Sequence, residues 1–153
     1  MPPTSLFDQH PTFTPHPTAP LSQEFARLAQ HMGWRKGSHK WRANKRRAYL
    51  QEFARHWGED ASRLDVWRRL CADVGVVEGE AGLGSVTKCK KALKTVHVNL
   101  VELVDAIRAG RRVRRFRNVA ELKAYTNKGK NRVFPRDIAK EDGFVNVLLR
   151  VLS

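Results

Sequence analysis

Ser85-Val-Thr-Lys-Cys89-Lys-Lys-Ala-Leu93-Lys-Thr-Val96-His-Val-Asn-Leu100-Val-Glu-Leu103-Val-Asp-Ala-Ile107 decides the fold class. Val86, Cys89, Leu93, Val96, Leu100, Leu103 and Ile107 recur at alternating spacings of three and four, a heptad seam on one side of a helix. Val98, Val101 and Val104 lay a second apolar stripe beside it. A helix apolar on two sides suits the buried centre of a bundle better than an exposed zipper, so the pattern predicts a central apolar helix around 85–107. Ser85 is its natural N-cap. The β-branched run Thr95–Val98, followed by Asn99 and then Glu102 as a cap and its N3 partner, marks a place where this helix can divide in two.

Amphipathic segments flank this centre. Phe25, Leu28 and Ala29 recur at helical spacing between Ser22, a candidate cap, and Gly33, which stops the run. A second helix is expected from Ser38–Lys40 to Gly58, with Leu50, Phe53, Ala54 and Trp57 on its buried side, and a third from about Ser62 to Val74, ended by Gly75. Asn118-Val-Ala-Glu121 is a capping-box variant that opens a short helix to about Thr126, with Phe116 and Leu122 placed to staple its entry. Lys128–Asn131 reads as a turn, Pro135 as the first residue of another helix, and Phe144, Val147, Leu148 and Val151 as the apolar side of a last one. A short extended piece at Val113–Phe116 is the one competitor to helix. The expectation is all-α: a single-domain bundle of six to eight helices.

At 153 residues and 41% hydrophobic, the chain suffices for one core without staples. All but one of the seven prolines fall within residues 1–20, where regular helix cannot be sustained. The expected organisation is a disordered Pro/Thr-rich tail over 1–20 and a helical domain over 21–153. Pro17-Thr-Ala-Pro20 has the spacing of a polyproline-II ligand, a pattern common by chance. The N-terminal stretch has neither the basic cluster nor the apolar run of a secretory signal. No later apolar run approaches the roughly 18 residues of a spanning helix. The two cysteines, Cys71 and Cys89, form no C-x-x-C pair and no disulfide framework. Together these features point to a nuclear or cytoplasmic protein that is not secreted.

The net charge of +14 is unevenly divided. Residues 34–57 carry eight Lys/Arg against Glu52 alone, and residues 108–134 carry ten against Glu121 alone, whereas 58–84 hold six carboxylates and three arginines. Such blocks speak to partners rather than to fold, and a polyanion is the natural one. The candidate nucleic-acid contacts in the first block are Arg35, Lys36, Lys40, Trp41, Arg42, Lys45, Arg46 and Arg47. In the second they are Arg111, Arg112, Arg114, Arg115, Arg117, Lys128, Lys130 and Arg132. Arginine suits phosphate because its planar fork makes two parallel hydrogen bonds and keeps its charge. On a helix continuous from Lys40, Trp41 falls beside Lys45, Ala48, Glu52 and Arg55, nearly opposite Leu50, Phe53 and Trp57. There it either stacks on bases or, if the helix begins later, folds back as a core anchor. Arg108 fits a simpler role, complementing the C-terminal dipole of the preceding helix. The same blocks also resemble nuclear-import signals, a weak motif.

Other chemistry finds little purchase. Gly79-Glu-Ala-Gly-Leu-Gly84-Ser85 feeds a helix start but lacks the Gly-Lys-Ser/Thr ending and the preceding strand of a phosphate-binding nucleotide loop. Cys71 and Cys89 sit on apolar stripes, and His39, His56 and His97 have no paired ligand spacing, so neither a metal nor a cofactor is expected. Glu141 and Asp142 are adjacent and point apart on a helix. No enzyme signature remains.

Cys89-Lys-Lys-Ala-Leu-Lys, Val96-His-Val-Asn-Leu-Val-Glu-Leu-Val-Asp105 and Phe134-Pro-Arg-Asp-Ile-Ala-Lys-Glu-Asp-Gly-Phe144, with Gly33-Trp34 upstream, resemble small basic proteins of filamentous fungi, a group of no assigned function. The resemblance spans residues 25–150 and implies a single domain with a dispensable tail. It carries no site residues across.

Two functions fit these features. The leading one is a non-enzymatic protein that contacts DNA or RNA phosphates with little sequence specificity. The alternative is a helical interaction module, an adaptor or a homodimer, that engages an acidic protein partner, including segment 58–84 of another copy. An anionic membrane fits less well, for want of a lipid anchor or a basic helix whose apolar face is free.

Overall fold

The computed structural model describes residues 6–58, 60–76 and 82–129. Among them are six α-helices and no strand: α1 (Leu21–Met32), α2 (His39–Trp57), α3 (Leu64–Asp73), α4 (Val86–Leu93), α5 (Leu100–Ala109) and α6 (Val119–Asn127). The protein is all-α. The helices expected from Pro135 and Gly143 lie outside the described residues, as do Lys130, Arg132, Glu141 and Asp142.

The seam of 85–107 is split into α4 and α5. Asn99 caps α5, its side chain accepting from Glu102 N at 3.1 Å, and the extended backbone between the helices receives Phe116 N on His97 O at 2.7 Å. That bridge to residue 116 is the isolated antiparallel pairing to which the expected extended piece reduces. Cys89, Leu93, Val96, Leu100 and Leu103 are all buried. The seam is thus spent within the chain, at the centre of a core that also takes Phe25 and Leu28 from α1, Tyr49, Phe53 and Trp57 from α2, and Trp67 and Leu70 from α3. Trp67 has no exposed surface and donates its indole N–H to Ala61 O at 2.8 Å.

Residues 6–20 lie against the helices. Leu6–Gln9 form one 3-10 turn, and Leu6, Phe7 and Phe13 are buried in the common core, Phe7 and Phe13 stacked at 5.9 Å. Proline forbids a regular helix but leaves the chain free to lie against other elements. Arg108 clasps it: Nε donates to Ala19 O at 2.7 Å, one terminal nitrogen to His16 O at 3.1 Å and the other to Glu52 Oε1 at 3.1 Å. Its side chain is only 4% exposed, so this arginine is a buried strut rather than a dipole complement.

Ser22 is not the cap of α1. Pro20 occupies that position without a side-chain bond, and Leu21 N is satisfied from another helix, by Asp105 Oδ1 of α5 at 2.8 Å. At the other end, Gly33 (φ 72°) donates to Gln30 O and Trp34 N to Ala29 O, a Schellman motif that needs the positive φ of glycine. The motif turns Trp34 back onto α1. Its ring lies 6.2 Å from that of Phe25.

Candidate nucleic-acid interface

The first basic block surrounds the start of α2. Ser38 caps the helix, accepting from Trp41 N at 3.2 Å, so the helix is continuous from His39 and Trp41 sits in its first turn. Trp41 is half-buried, its ring edge-on to Phe25 of α1 at 5.4 Å. It is therefore anchored on the core even though the helix starts early. α1 covers this side of the N-terminal half of α2, and Ala48 and Tyr49 are buried two turns further on.

Between the two helices lies a groove of about 390 Å³, lined by Ser22, Gln23, Phe25, Ala26, Ala29, Gln30, Trp34, Lys36, Trp41 and Lys45. Three aromatic rings make its apolar wall. Lys45 Nζ stands 4.9 Å from the centroid of the Trp41 ring, a cation–π contact. Burial, and after it the charge of Lys36, holds Lys45 below its ordinary pKa. Two ammonium groups are thus close enough to disfavour one another, with no carboxylate lining the groove. Arg35, Lys40, Arg42 and Arg47 are exposed, and Arg46 is half-buried.

The second block begins with a repeat of the same device. Gly110 (φ 69°) donates to Ile107 O and Arg111 N to Ala106 O at 2.9 Å, a Schellman motif that ends α5 and places Arg111. Beyond it the block fans out. Val113 is buried between the exposed Arg112 and Arg114. Arg112 and Arg115 line a cleft of about 510 Å³ with residues 72–76 at the end of α3. Arg114 lies over two rings, 4.8 Å from Phe116 and 5.2 Å from Tyr125. Arg117 is exposed, its backbone N–H on Glu121 Oε2 at 3.2 Å, and Lys128 is exposed at the end of α6. The two aromatic partners are themselves fixed, since Tyr125 donates to Glu102 of α5.

Asp105 holds Leu21 N at the start of α1, and burial pushes its pKa up against the pull of that hydrogen bond and of the Arg108 and Arg111 charges. Ser22 and Gln23, the next residues of α1, line the aromatic groove. Arg112 and Arg115 turn towards α3.

Phe25 and Gln30 were not legible as parts of a site, because Phe25 belongs to a core stripe and Gln30 to no motif. Gly33-Trp34 was the available signal: a helix-stopping glycine followed by an aromatic folds that aromatic back onto the helix it ends. Among the described residues, no three His, Cys, Asp or Glu side chains group as metal ligands would, and no helix is long and apolar enough to cross a membrane. The chain matches no protein-family model, no curated protein and no solved structure.

Proposed function

We propose that this protein binds nucleic acid without catalysing a reaction, contacting phosphates through the exposed cations of its two basic blocks and reading little sequence. One observation carries the reading. Arg35, Lys36, Lys40, Arg42, Arg47, Arg111, Arg112, Arg114, Arg117 and Lys128 are exposed, and none of them makes an ion pair among the described residues. Among the described residues no carboxylate pairs with that charge, and a polyphosphate backbone neutralises it with release of its own counterions. Phosphate contacts position a protein on a strand but carry no base code, hence the low specificity.

The alternative of a partner helix docking on the heptad seam gains no support, since the seam is buried within the chain. An acidic protein remains an outcome of the test. Anisotropy of labelled single- and double-stranded DNA and RNA, with heparin as competitor, is measured on the full chain because Leu6, Phe7 and Phe13 belong to the core. Saturable binding that prefers one nucleic acid to heparin supports the proposal. Equal binding to every polyanion, or none at all, overturns it.

A further inference from the structure

We propose that the groove between α1 and α2 is a nucleotide subsite that takes one unpaired base together with its phosphate, so that the preferred ligand is single-stranded. This rests on the nucleic-acid reading and deepens it.

The groove combines what such a ligand requires. Trp34 and Trp41 are both half-buried and both line it, so each is held rigidly by the core while leaving ring surface towards the cleft. Trp34 is fixed from two sides, by Phe25 at 6.2 Å and by the edge of His10 at 5.8 Å. A pre-positioned ring loses little entropy when a base slides against it. Lys45 already occupies the π-face of Trp41, which leaves Trp34 as the stacking wall and makes Lys45, with Lys36, the phosphate end of the site. The depressed basicity of Lys45 has its natural relief in an anion between the two lysines. Gln23 and Gln30 are exposed on the rim, where an amide offers both donor and acceptor to a base edge. A volume of about 390 Å³ falls among small-ligand pockets, which run roughly 300–1,000 Å³.

Paired bases cannot use this site. In a duplex the faces are already stacked on one another, and only an unpaired base is free to enter a cleft. Bare phosphate or heparin would engage the lysines and leave the rings unused.

The test sets a labelled oligothymidylate against the same backbone built of abasic residues and against a duplex of equal length, on the intact protein. Two variants accompany it. Ala26→Leu fills the groove from an exposed position of α1 without changing charge, and leucine suits a helix. Trp34→Leu removes the stacking wall. The wild type should bind thymidylate about tenfold more tightly than the abasic strand, the scale of one stacked base. Ala26→Leu should abolish that preference, with an unaltered thermal melt. Equal affinity for thymidylate and abasic strands in the wild type, or a preference that survives both variants, overturns the subsite and leaves phosphate binding standing. Failure to bind any of the three strands overturns both.

Discussion

Lys45 Nζ of α2 stands 4.9 Å above the ring of Trp41, one turn before it on the same helix, and both line the groove that α1 closes. The contact predicts a pH dependence. Burial, then Lys36, holds the Lys45 pKa down in the free protein, and a phosphate beside it would raise that pKa. The complex then binds more protons than the free protein between the two values. Affinity should be level below the lowered free value and fall as pH climbs from there through the higher bound one. Lys45→Arg, which keeps its charge, should remove this step. An unchanged alkaline loss in that variant would assign the effect to other lysines.

Reversing the charge of Arg112, Arg114 and Arg117 to Glu should weaken binding to all sequences alike. None of the three is needed as a strut: Arg112 and Arg117 are exposed, and Arg114 rests on rings at the surface. Three lost phosphate contacts should flatten the log–log salt slope by roughly 2–3. A folded variant that binds normally would remove this segment from the interface.

Arg108 serves stability rather than binding. It is paired with Glu52, and it holds the carbonyls of His16 and Ala19. Arg108→Met should cost about 3–5 kcal/mol, because Glu52 is left without its cation and two backbone acceptors lose a donor. Urea unfolding reads the loss, and proteolysis within residues 6–20 should accelerate well below the unfolding midpoint. Unchanged stability would mean that this clasp does not hold the N-terminal segment.

Cys71 and Cys89 are fully buried, and the Cys71 thiol is pushed up to about 12 by burial first and by Cys89 second. At neutral pH the native thiols should resist iodoacetamide and react only as the chain opens. Mass spectrometry across a urea series checks this. Prompt labelling of the native protein would contradict the buried α3–α4 contact.

Local signals carried most of the helical architecture. Ser38, Ser85, Asn99 and Asn118 each accept from the backbone N–H three residues on, as short polar residues before an apolar run should. Gly33, Gly58, Gly75 and Gly110 all fall in the positive-φ turns that follow helices α1, α2, α3 and α5. What failed was non-local. Ser22 has the right chemistry for a cap, but Asp105, 84 residues away from Leu21, already satisfies the helix start. The proline-rich stretch shows no periodicity, yet Leu6, Phe7 and Phe13 find a core that other elements build. The angle per residue puts Trp41 on the basic side of α2, but that α1 approaches there and makes that side a groove is a tertiary fact. The charge blocks were visible at once. How the second block fans out was not, because Gly110 and the buried Val113 redirect the backbone there.

The central claim is that unneutralised surface cations bind a phosphate backbone, and salt tests it most directly. Affinity of the full chain for a labelled single strand and for a duplex is measured from low to physiological salt. Neutralising about six phosphates predicts log–log slopes of roughly −4 on the single strand and −5 on the duplex. A slope near zero, or no binding at low salt, would contradict the account.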